Sequence, residues 1–300
     1  MATIGVNDMK ESIEKAEILL EAVPYIQKFN NKRIIIKYGG SAMSNESIRK
    51  SVIKDIAMLK LLGLKPIIVH GGGKDISKML SAMGKKSVFL DGLRVTDEET
   101  AKIAEMVLVG SIGKQLVLDL EREGINAISI EGKDGHTLLA KKKIDPSGRD
   151  LGYVGEIEKV DTTLIEALLE KDYVPVISPI AFGEDGMTYN INADYGASAI
   201  AGALKCQKLV FLTDVEGILK DPKDPTSKIT KITMESAMSY IKDGTISGGM
   251  IPKVTCCLDA LEKGVKSVHI LNGKTPHSIL LEIYTTKGIG TMFTLKEEEE

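Results

Sequence analysis

The sequence contains no tryptophan and few other aromatic residues, and its charges nearly cancel. Phe, Trp and Tyr together make up only 4% of the 300 residues, which disfavours a site built to stack sugars or nucleic-acid bases. Lys and Arg number 39 and Asp and Glu number 42, so the net charge is −3. Because the chain lacks a strong basic surplus, nucleic acid is not an expected partner.

Long apolar runs, a signal peptide and paired cysteines are missing too. No run approaches the ~20 apolar residues of a membrane span, and the N-terminus lacks the profile of a secretory signal, so we expect neither a membrane nor secretion. The three cysteines, Cys206, Cys256 and Cys257, form no C-x-x-C pair and predict no disulfide framework. We therefore expect a cytosolic protein, with the adjacent Cys256 and Cys257 in its core.

Several widespread catalytic motifs are also absent. The sequence has no G-x-x-x-x-G-K-[ST], no G-x-G-x-x-G after a strand, no H-E-x-x-H and no G-x-S-x-G. These absences argue against a P-loop nucleoside triphosphatase, a Rossmann dehydrogenase, a zinc protease and an α/β-hydrolase.

What is present is aliphatic and rich in glycine, with a repeated order of strand, glycine turn and helix. Hydrophobic residues make up 43% of the chain and glycine contributes 29 residues, enough apolar material for a packed core. The runs at 33–37 and 66–70 are β-branched, end in Gly39–Gly40 and Gly71–Gly73, and precede helices at about 45–62 and 74–84. This order predicts a parallel sheet covered by helices.

The remaining elements follow from periodicity and from glycine and proline positions. An amphipathic helix is predicted over 9–29, where Pro24 should kink or divide it. Hairpins are predicted at 87–95 and within 126–160, with helices between them at about 97–123. The α/β order resumes with strands at 174–178, 208–214, 267–271 and 291–295 and helices at 193–205, 233–242 and 250–263.

Glycine turns and lysines together suggest bound phosphate. Backbone N–H groups of residues without Cβ approach ligand oxygens closely, and ligands of open α/β sheets lie beyond the carboxyl ends of the strands. Lys37 ends the first predicted strand, and a third glycine turn at 247–250 leads to Lys253. Such glycines could serve tight turns alone, and isolated lysines are usually exposed. Two lysines on separate glycine-lined elements favour a phosphate clamp.

Seven motifs then occur in order, and together they resemble the N-acetylglutamate kinases, a branch of the amino acid kinase family. The resemblance covers about residues 15–295. The motifs are Ala16-Glu-Ile-Leu-Leu-Glu-Ala-Val-Pro-Tyr25-Ile, Lys37-Tyr-Gly-Gly-Ser-Ala-Met43, His70-Gly-Gly-Gly73, Asp91-Gly-Leu-Arg94-Val-Thr96, Asn190-Ile-Asn192-Ala-Asp194, Leu212-Thr-Asp214-Val-Glu-Gly217 and Ser247-Gly-Gly-Met-Ile-Pro-Lys253.

The resemblance implies a three-layer αβα sandwich on a mainly parallel, open sheet of about eight strands, in two lobes. It implies an N-terminal helix at 1–30, a lobe at 31–185 that binds the amino acid and dimerises, and an ATP-binding lobe at 186–300. The implied reaction is ATP-dependent phosphorylation of the γ-carboxylate of N-acetyl-L-glutamate, an early step of arginine biosynthesis.

The resemblance also assigns site residues, motif by motif. Lys37 and Lys253 would contact the transferring phosphoryl group, and Asp194 would orient both lysines. The implied substrate-binding residues are Gly72, Gly73, Arg94 and Asn190. The implied ATP-binding residues are Gly39, Gly40, Thr213, Asp214, Val215, Gly217, Gly248, Gly249 and Met250. Mg²⁺ would arrive with ATP, and no protein ligand is assigned to it.

Both ends of the chain resemble the arginine-inhibited branch of the family. By analogy, Tyr25, Lys208, His269, Glu282 and Gly288 would form an arginine site. Exchanged N-terminal helices would join three dimers into a hexamer. The simpler alternative is that residues 9–29 cover the core of their own subunit.

Other interpretations of the same residues remain open. Arg94 could be a surface charge in a hairpin, Asp194 a helix N-terminal charge, and Asn190 and Asn192 turn or capping residues. The chain could phosphorylate another acid, such as glutamate, aspartate, carbamate or acetylaminoadipate, because one methylene provides only ~1–3 kcal/mol of discrimination. It could also be a non-catalytic arginine sensor, although both lysines are present.

Overall fold

The structure is a computed structural model that describes residues 6–40, 43, 45–221, 223–285 and 288–296. The acidic residues 297–300 lie outside the described residues. The strands are β1 Arg33–Tyr38, β2 Lys65–His70, β3 Phe89–Leu90, β4 Leu93–Arg94, β5 Ala127–Glu131, β6 Leu138–Lys142, β7 Gly155–Val160, β8 Val174–Ser178, β9 Ile180–Phe182, β10 Thr188–Asn190, β11 Lys208–Thr213, β12 Ile218–Leu219, β13 Lys228–Ile229, β14 Lys231–Thr233, β15 Ser267–Asn272 and β16 Thr291–Thr294.

The helices alternate with these strands along most of the chain. They are α1 Val6–Phe29, α2 Glu46–Leu61, α3 Gly73–Ala82, α4 Glu98–Glu105, α5 Lys114–Arg122, α6 Thr163–Glu170, α7 Ala193–Ala203, α8 Met234–Lys242, α9 Met250–Glu262 and α10 Ser278–Tyr284. A π-helical segment, Met106–Gly113, joins α4 to α5. None of the described helices has the length and apolarity needed to cross a membrane.

Eight strands form one sheet in the order β14-β16-β15-β11-β1-β2-β8-β5. Neighbours pair in parallel except β15 and β16, which are antiparallel. The predicted mainly parallel sheet of eight strands is therefore confirmed. The strands that precede residue 180, β1, β2, β5 and β8, form one half of this sheet, and the strands that follow residue 205, β11, β14, β15 and β16, form the other. The lobe boundary between residues 185 and 186 stays a prediction. The two predicted lobes share one sheet, in which β11 pairs directly with β1.

Apolar side chains cover both faces of the sheet, which explains the continuous β-branched runs. On β1, Ile35 faces one core, together with helices α7 and α9, and Ile34 and Ile36 face the other, together with α2. All three isoleucines are fully buried. Helices on both faces of one sheet make the three predicted layers.

Two predictions need correction, and several elements were not predicted. Ala127–Glu131 was expected in a hairpin, but it is the edge strand of the main sheet and pairs in parallel with β8. An edge strand has a partly exposed face, so it alternates like a hairpin strand. Helix α1 runs on through Pro24 instead of dividing there. The elements that had no predicted counterpart are β9, β10, β12, β13, β14 and α10. The hairpins β3–β4 and β6–β7 are confirmed.

Candidate active site

Two lysines and one aspartate meet at the carboxyl edge of the sheet. Lys37 lies near the end of β1, Asp194 in the first turn of α7 and Lys253 in the first turn of α9. The Lys37 Nζ lies 2.8 Å from Asp194 Oδ1, and the Lys253 Nζ lies 2.5 Å from Asp194 Oδ2. All three side chains are less than one fifth exposed. The arrangement carries one net positive charge.

The two ammonium groups keep Asp194 ionised in spite of its burial. Burial opposes the ionised form, but the charges and hydrogen bonds of Lys37 and Lys253 outweigh it and lower the pKa of Asp194 to about 2. Asn192 caps α7 by accepting a hydrogen bond from the Asp194 N–H at 2.8 Å. Asp194 thus has both the helix N-terminal position and the two lysines as partners, and Asn192 is a capping residue, as one open interpretation held.

The glycine turns lie against this group, and glycine is needed there because a larger residue would not fit. A Cβ on Gly39 would approach the Lys37 Nζ to 3.1 Å. Gly40 has a φ of +64°, a left-handed conformation that side chains rarely adopt, and a Cβ there would lie 3.4 Å from Asp214 Oδ1. A Cβ on Gly72 would come within 2.4 Å of the Ile112 side chain. The second turn is tied to the first, because the Gly71 N–H donates to the Tyr38 carbonyl at 2.9 Å.

A cavity of about 400 Å³ extends from Lys37 and Asp194. We call it the substrate cavity after the predicted substrate-binding residues in its wall. The predicted residues that line it are Lys37, Gly39, Gly40, Gly72, Gly73, Arg94, Asn190 and Asp194. The structure therefore brings the predicted catalytic and substrate-binding groups together, apart from Lys253, which contacts the cavity wall through Asp194.

Arg94 is buried in the wall of the substrate cavity, so it is not the surface charge that one interpretation of the sequence allowed. It is 6% exposed and donates to the Gly73 carbonyl at 2.6 Å and to the Ser77 and Ser87 hydroxyls at 2.9 and 2.7 Å. Its guanidinium also lies over the Phe89 ring. Burial lowers the pKa of Arg94.

The acceptors of this guanidinium are all neutral. Among the described residues no carboxylate pairs with Arg94, so a buried positive charge faces the cavity without an anion. Asn190 also lines the cavity, and its Nδ2 is 3.4 Å from the Thr96 hydroxyl, which donates to the Arg94 carbonyl. The cavity thus offers a cation without an anionic partner, an amide, and Lys37, which Asp194 links to Lys253.

Of the predicted nucleotide residues, only Gly39 and Gly40 line the substrate cavity, and the others lie outside it. Thr213 ends β11, and its hydroxyl bonds to the carbonyl groups of Val215 and Leu271. Gly248 and Gly249 precede α9, and a Cβ on either would meet open space. Gly217 packs against β16, where a Cβ would lie 2.5 Å from the Thr291 hydroxyl, so its glycine is required by packing. Met250 begins the helix that carries Lys253.

No metal cluster is present in the part of the chain that the structure describes: no three or more His, Cys, Asp or Glu side chains lie together there. Cys256 and Cys257 are buried and free, as expected of core residues. Burial raises the pKa of the Cys256 thiol to about 12.

A second cavity of about 340 Å³ lies beside α1, α10 and β15, far from the glycine turns in the chain. It is lined by all five residues of the implied arginine site, Tyr25, Lys208, His269, Glu282 and Gly288. We call it the α1–α10 cavity. Its polar groups form a buried chain in which His269 lies 3.0 Å from the Lys208 Nζ through Nε2 and 2.7 Å from Glu282 Oε1 through Nδ1.

These hydrogen-bonded side chains leave the Glu282 carboxylate ionised in the wall of the α1–α10 cavity. Burial opposes the ionised form of Glu282, but hydrogen bonds from His269 and from the N–H groups of Ile289 and Gly290 lower its pKa overall. Burial, and then the charge of Lys208, lower the pKa of His269 to about 4. The histidine is therefore neutral, and a buried anion remains beside a cationic lysine.

Comparison with known proteins identifies the family. Residues 32–272, most of the chain, match the amino acid kinase family. This chain belongs to the amino acid kinase family. An acetylglutamate kinase from Caldanaerobacter subterraneus is 52% identical over 94% of both chains. An acetylglutamate kinase from Methanococcus maripaludis is 50% identical over 94% of this chain and 98% of its own.

A solved structure resembles this amino acid kinase over almost its whole length. N-acetylglutamate synthase from Neisseria gonorrhoeae, complexed with coenzyme A and N-acetyl-glutamate, superposes with a TM-score of 0.83 at 26% identity. The match covers 95% of this chain and 64% of the synthase chain. This amino acid kinase therefore spans less than two thirds of the synthase.

Sequence reasoning missed several residues in and beside the substrate cavity. Ser77 and Ser87 hold Arg94, and Lys74 and Asp75 line the substrate cavity beside Gly73. Lys74 and Asp75 follow the second glycine turn directly, and that adjacency was an available signal. The serines have no comparable signal, because tertiary packing alone brings them to the guanidinium.

Proposed function

We propose that this amino acid kinase transfers the γ-phosphoryl group of ATP to the γ-carboxylate of N-acetyl-L-glutamate, forming N-acetyl-L-glutamyl 5-phosphate for arginine biosynthesis. Relatives about 50% identical over nearly the whole chain carry the name acetylglutamate kinase. The observation that carries the proposal is the substrate cavity itself. Its wall includes Lys37 and Asp194, which link to Lys253, and the buried Arg94 guanidinium, which has no anionic partner among the described residues.

The chemistry needs charge and position more than proton transfer. A γ-carboxylate is ionised at neutral pH and is already nucleophilic, so the reaction requires no general base. The protein must hold two anions together and stabilise the charge that spreads over the transferring phosphoryl group. Lys37 and Lys253 supply that positive charge, and Asp194 keeps both aimed at one place.

The wall of the cavity around Arg94 fits the amino-acid part of the substrate. Arg94 would bind the α-carboxylate bidentately, a geometry that the planar guanidinium supplies. Asn190 would hydrogen-bond the acetylated amine end. Gly72 and Gly73 would offer backbone N–H groups to the reacting oxygens.

The ATP assignment rests on the family and on the residues beyond the lysines. We place the nucleotide against Thr213, Asp214, Val215, Gly217, Gly248, Gly249 and Met250, with Gly39 and Gly40 beside its phosphates. Mg²⁺ would enter bound to the phosphate oxygens of ATP and bridge them. Both oxygens of Asp194 already lie beside lysine ammonium groups, so we name no protein ligand for the ion.

An acyl-phosphate assay tests the proposal. The enzyme is incubated with ATP, Mg²⁺ and one acid, and hydroxylamine traps the product as a hydroxamate. We expect product with N-acetyl-L-glutamate and little with glutamate, aspartate, carbamate or acetylaminoadipate. If the enzyme preferred another acid, the proposed substrate would be wrong but the proposed kinase activity would stand. Folded protein that phosphorylates none of them would favour the arginine sensor.

Regulation by arginine is a second proposal, carried by the α1–α10 cavity. Its buried Glu282 carboxylate would pair with the arginine guanidinium, and Lys208 would pair with the arginine carboxylate. Tyr25, His269 and Gly288 would complete the site. Arginine should lower acyl-phosphate production and raise the Tm of the protein. A Tm unaffected by millimolar arginine would contradict the assignment.

Assembly into a hexamer is proposed from the exposed face of α1. The end of this helix packs on its own subunit through the buried Phe29, but Leu19 and Leu20 are 71% and 68% exposed. Exchanged α1 helices between dimers would cover these leucines. Replacing both with Glu should reduce a hexamer to dimers in sedimentation, whereas Leu61→Glu, at an equally exposed leucine of α2, should not. An unchanged hexamer would show that α1 does not join the dimers.

A further inference from the structure

His70 is a fully buried histidine next to the substrate-side glycine turn, and the reaction described above does not use it. It ends β2, directly before Gly71. Its Nδ1 lies 3.1 Å from the Gly71 carbonyl oxygen, and its Nε2 lies 2.9 Å from the Ser178 hydroxyl at the end of the neighbouring strand β8. Both ring nitrogens therefore have a partner.

These two contacts determine which nitrogen carries the proton. A carbonyl oxygen only accepts hydrogen bonds, so Nδ1 is the protonated nitrogen and donates to Gly71. Nε2 then carries the lone pair and accepts from the Ser178 hydroxyl, which fixes this tautomer. Burial lowers the pKa of His70 to about 4, so the imidazole is neutral at physiological pH.

The hydrogen bond to Gly71 orients the next peptide group. All peptide bonds are trans among the described residues, and in a trans peptide the C=O and the following N–H point in opposite directions. Holding the Gly71 carbonyl against the imidazole therefore turns the Gly72 N–H away from it. Gly72 lines the substrate cavity, and its N–H has no hydrogen-bond acceptor within the described part of the chain.

We infer that His70 is a positioning residue that, through its Nδ1–H, aims the Gly72 N–H at the transferring phosphoryl group. The inference rests on the proposed phosphoryl transfer and deepens it. Glycine peptides flip easily because both hydrogen-bond directions are sterically allowed. A fixed donor costs no reorganisation when negative charge develops, which is how backbone donors accelerate such reactions. Ser178 contributes by keeping Nδ1 protonated.

The kinetic test compares variants that differ in one hydrogen bond. His70→Leu removes both contacts, and His70→Asn keeps an N–H donor where Nδ1 lies. We expect kcat to fall on the order of 10- to 100-fold in His70→Leu, with little change in KM for ATP or N-acetylglutamate, and to recover largely in His70→Asn. The control is Thr137→Val, which removes a buried hydrogen bond away from the substrate cavity and should lower Tm without lowering kcat. A His70→Leu enzyme that loses Tm but keeps kcat would overturn the inference.

Two spectroscopic measurements do not depend on turnover. In ¹⁵N-histidine protein, His70 should show a protonated Nδ1 and a bare Nε2 between about pH 5 and pH 8, and the opposite tautomer would overturn the assignment. In ¹⁵N-glycine protein, adding ADP, Mg²⁺ and aluminium fluoride should shift the Gly72 amide resonance. The shift should persist in His70→Asn and disappear in His70→Leu, and an equal shift in both would also overturn it.

These measurements separate the inference from the proposed function. Wild-type protein that makes no acyl phosphate would contradict the proposed function alone, and the Gly72 resonance would then still show whether His70 aims this N–H at bound phosphoryl mimics.

Discussion

Lys253 Nζ lies 2.5 Å from Asp194 Oδ2, although 59 positions separate the two residues in the chain. The other Asp194 oxygen lies beside Lys37. One carboxylate at the start of α7 therefore sets the separation of two ammonium groups on different elements, β1 and α9. Two flexible lysine side chains would otherwise repel each other, and each would lose more rotamer freedom on binding phosphate.

Asp194→Asn should impair phosphoryl transfer more than ATP binding. The neutral amide leaves two partly buried lysines without their shared anion, so they move apart and no longer point at one phosphoryl group. We expect kcat to fall on the order of 100-fold, with a smaller change in KM for ATP, measured by the hydroxamate assay. Asp259→Asn, which removes a more exposed carboxylate paired with Lys263, is the control. Equal losses in both variants would contradict a specific role for Asp194.

Arg94→Lys should weaken binding of the acid substrate. Lysine keeps the charge but loses the planar fork that bonds Gly73 and the two serines at once. We expect KM for N-acetylglutamate to rise about 10- to 100-fold, since charge-assisted bonds are worth about 1.5–3 kcal/mol each. Initial rates over a range of N-acetylglutamate concentrations measure this change.

The control for Arg94→Lys is Arg149→Lys, at an exposed arginine that pairs with Asp91 and Asp145. It should leave KM for N-acetylglutamate close to the wild-type value. An Arg94→Lys enzyme with unchanged KM would show that the substrate's carboxylate binds elsewhere.

The central part of the fold was predictable from local sequence, because its signals are local. Three consecutive isoleucines at 34–36 need apolar surroundings on both faces, and the structure buries all three. The glycine turns that follow β1 and β2 were readable for the same reason. Helix α10, by contrast, has seven residues and follows His277, which adopts a left-handed conformation without capping the helix. Its seven residues are also fewer than the ~11 or more over which helical periodicity can be recognised.

The sequence predicted which residue types form the site, but it did not predict the contacts between them. The chemistry of the site could be anticipated from two lysines, glycine turns and the family resemblance. The burial of Arg94 could not, because Ser77 and Ser87 meet it only after α3 packs against the β3–β4 hairpin. The role of His70 was hidden for a similar reason: its partner Ser178 is 108 positions away.

Acidification should destabilise the protein through His70. The pKa of His70 is about 4 in the folded chain and 6.5 as its ordinary value, so between these pH values the unfolded state binds the extra proton. His70 alone should therefore lower the free energy of unfolding by about 3 kcal/mol as the pH drops from about 6.5 to about 4. His269, whose pKa is also about 4, should add a loss of similar size. Urea unfolding at several pH values measures it.

Comparison with His70→Asn isolates this contribution, because asparagine does not titrate. The stability difference between wild type and this variant should shrink as the pH falls through that range. His136→Asn, which removes an exposed imidazole, is the matched control. A difference that stays constant from about pH 7 to pH 4 would show that burial does not hold His70 neutral.

Glu282→Gln should make the enzyme insensitive to arginine. The substitution keeps the size of the side chain but removes the negative charge from the α1–α10 cavity, so a guanidinium loses its ion-pair partner and meets the charge of Lys208. We expect the arginine concentration that halves activity to rise at least about 10-fold, since a charge-assisted bond is worth about 1.5–3 kcal/mol. The arginine-induced rise in Tm should decrease in parallel. Glu262→Gln, at the exposed end of α9, should respond to arginine as the wild type does. If Glu282→Gln kept its arginine response, the inhibitor would bind outside the α1–α10 cavity, and the buried chain of Lys208, His269 and Glu282 would serve folding instead.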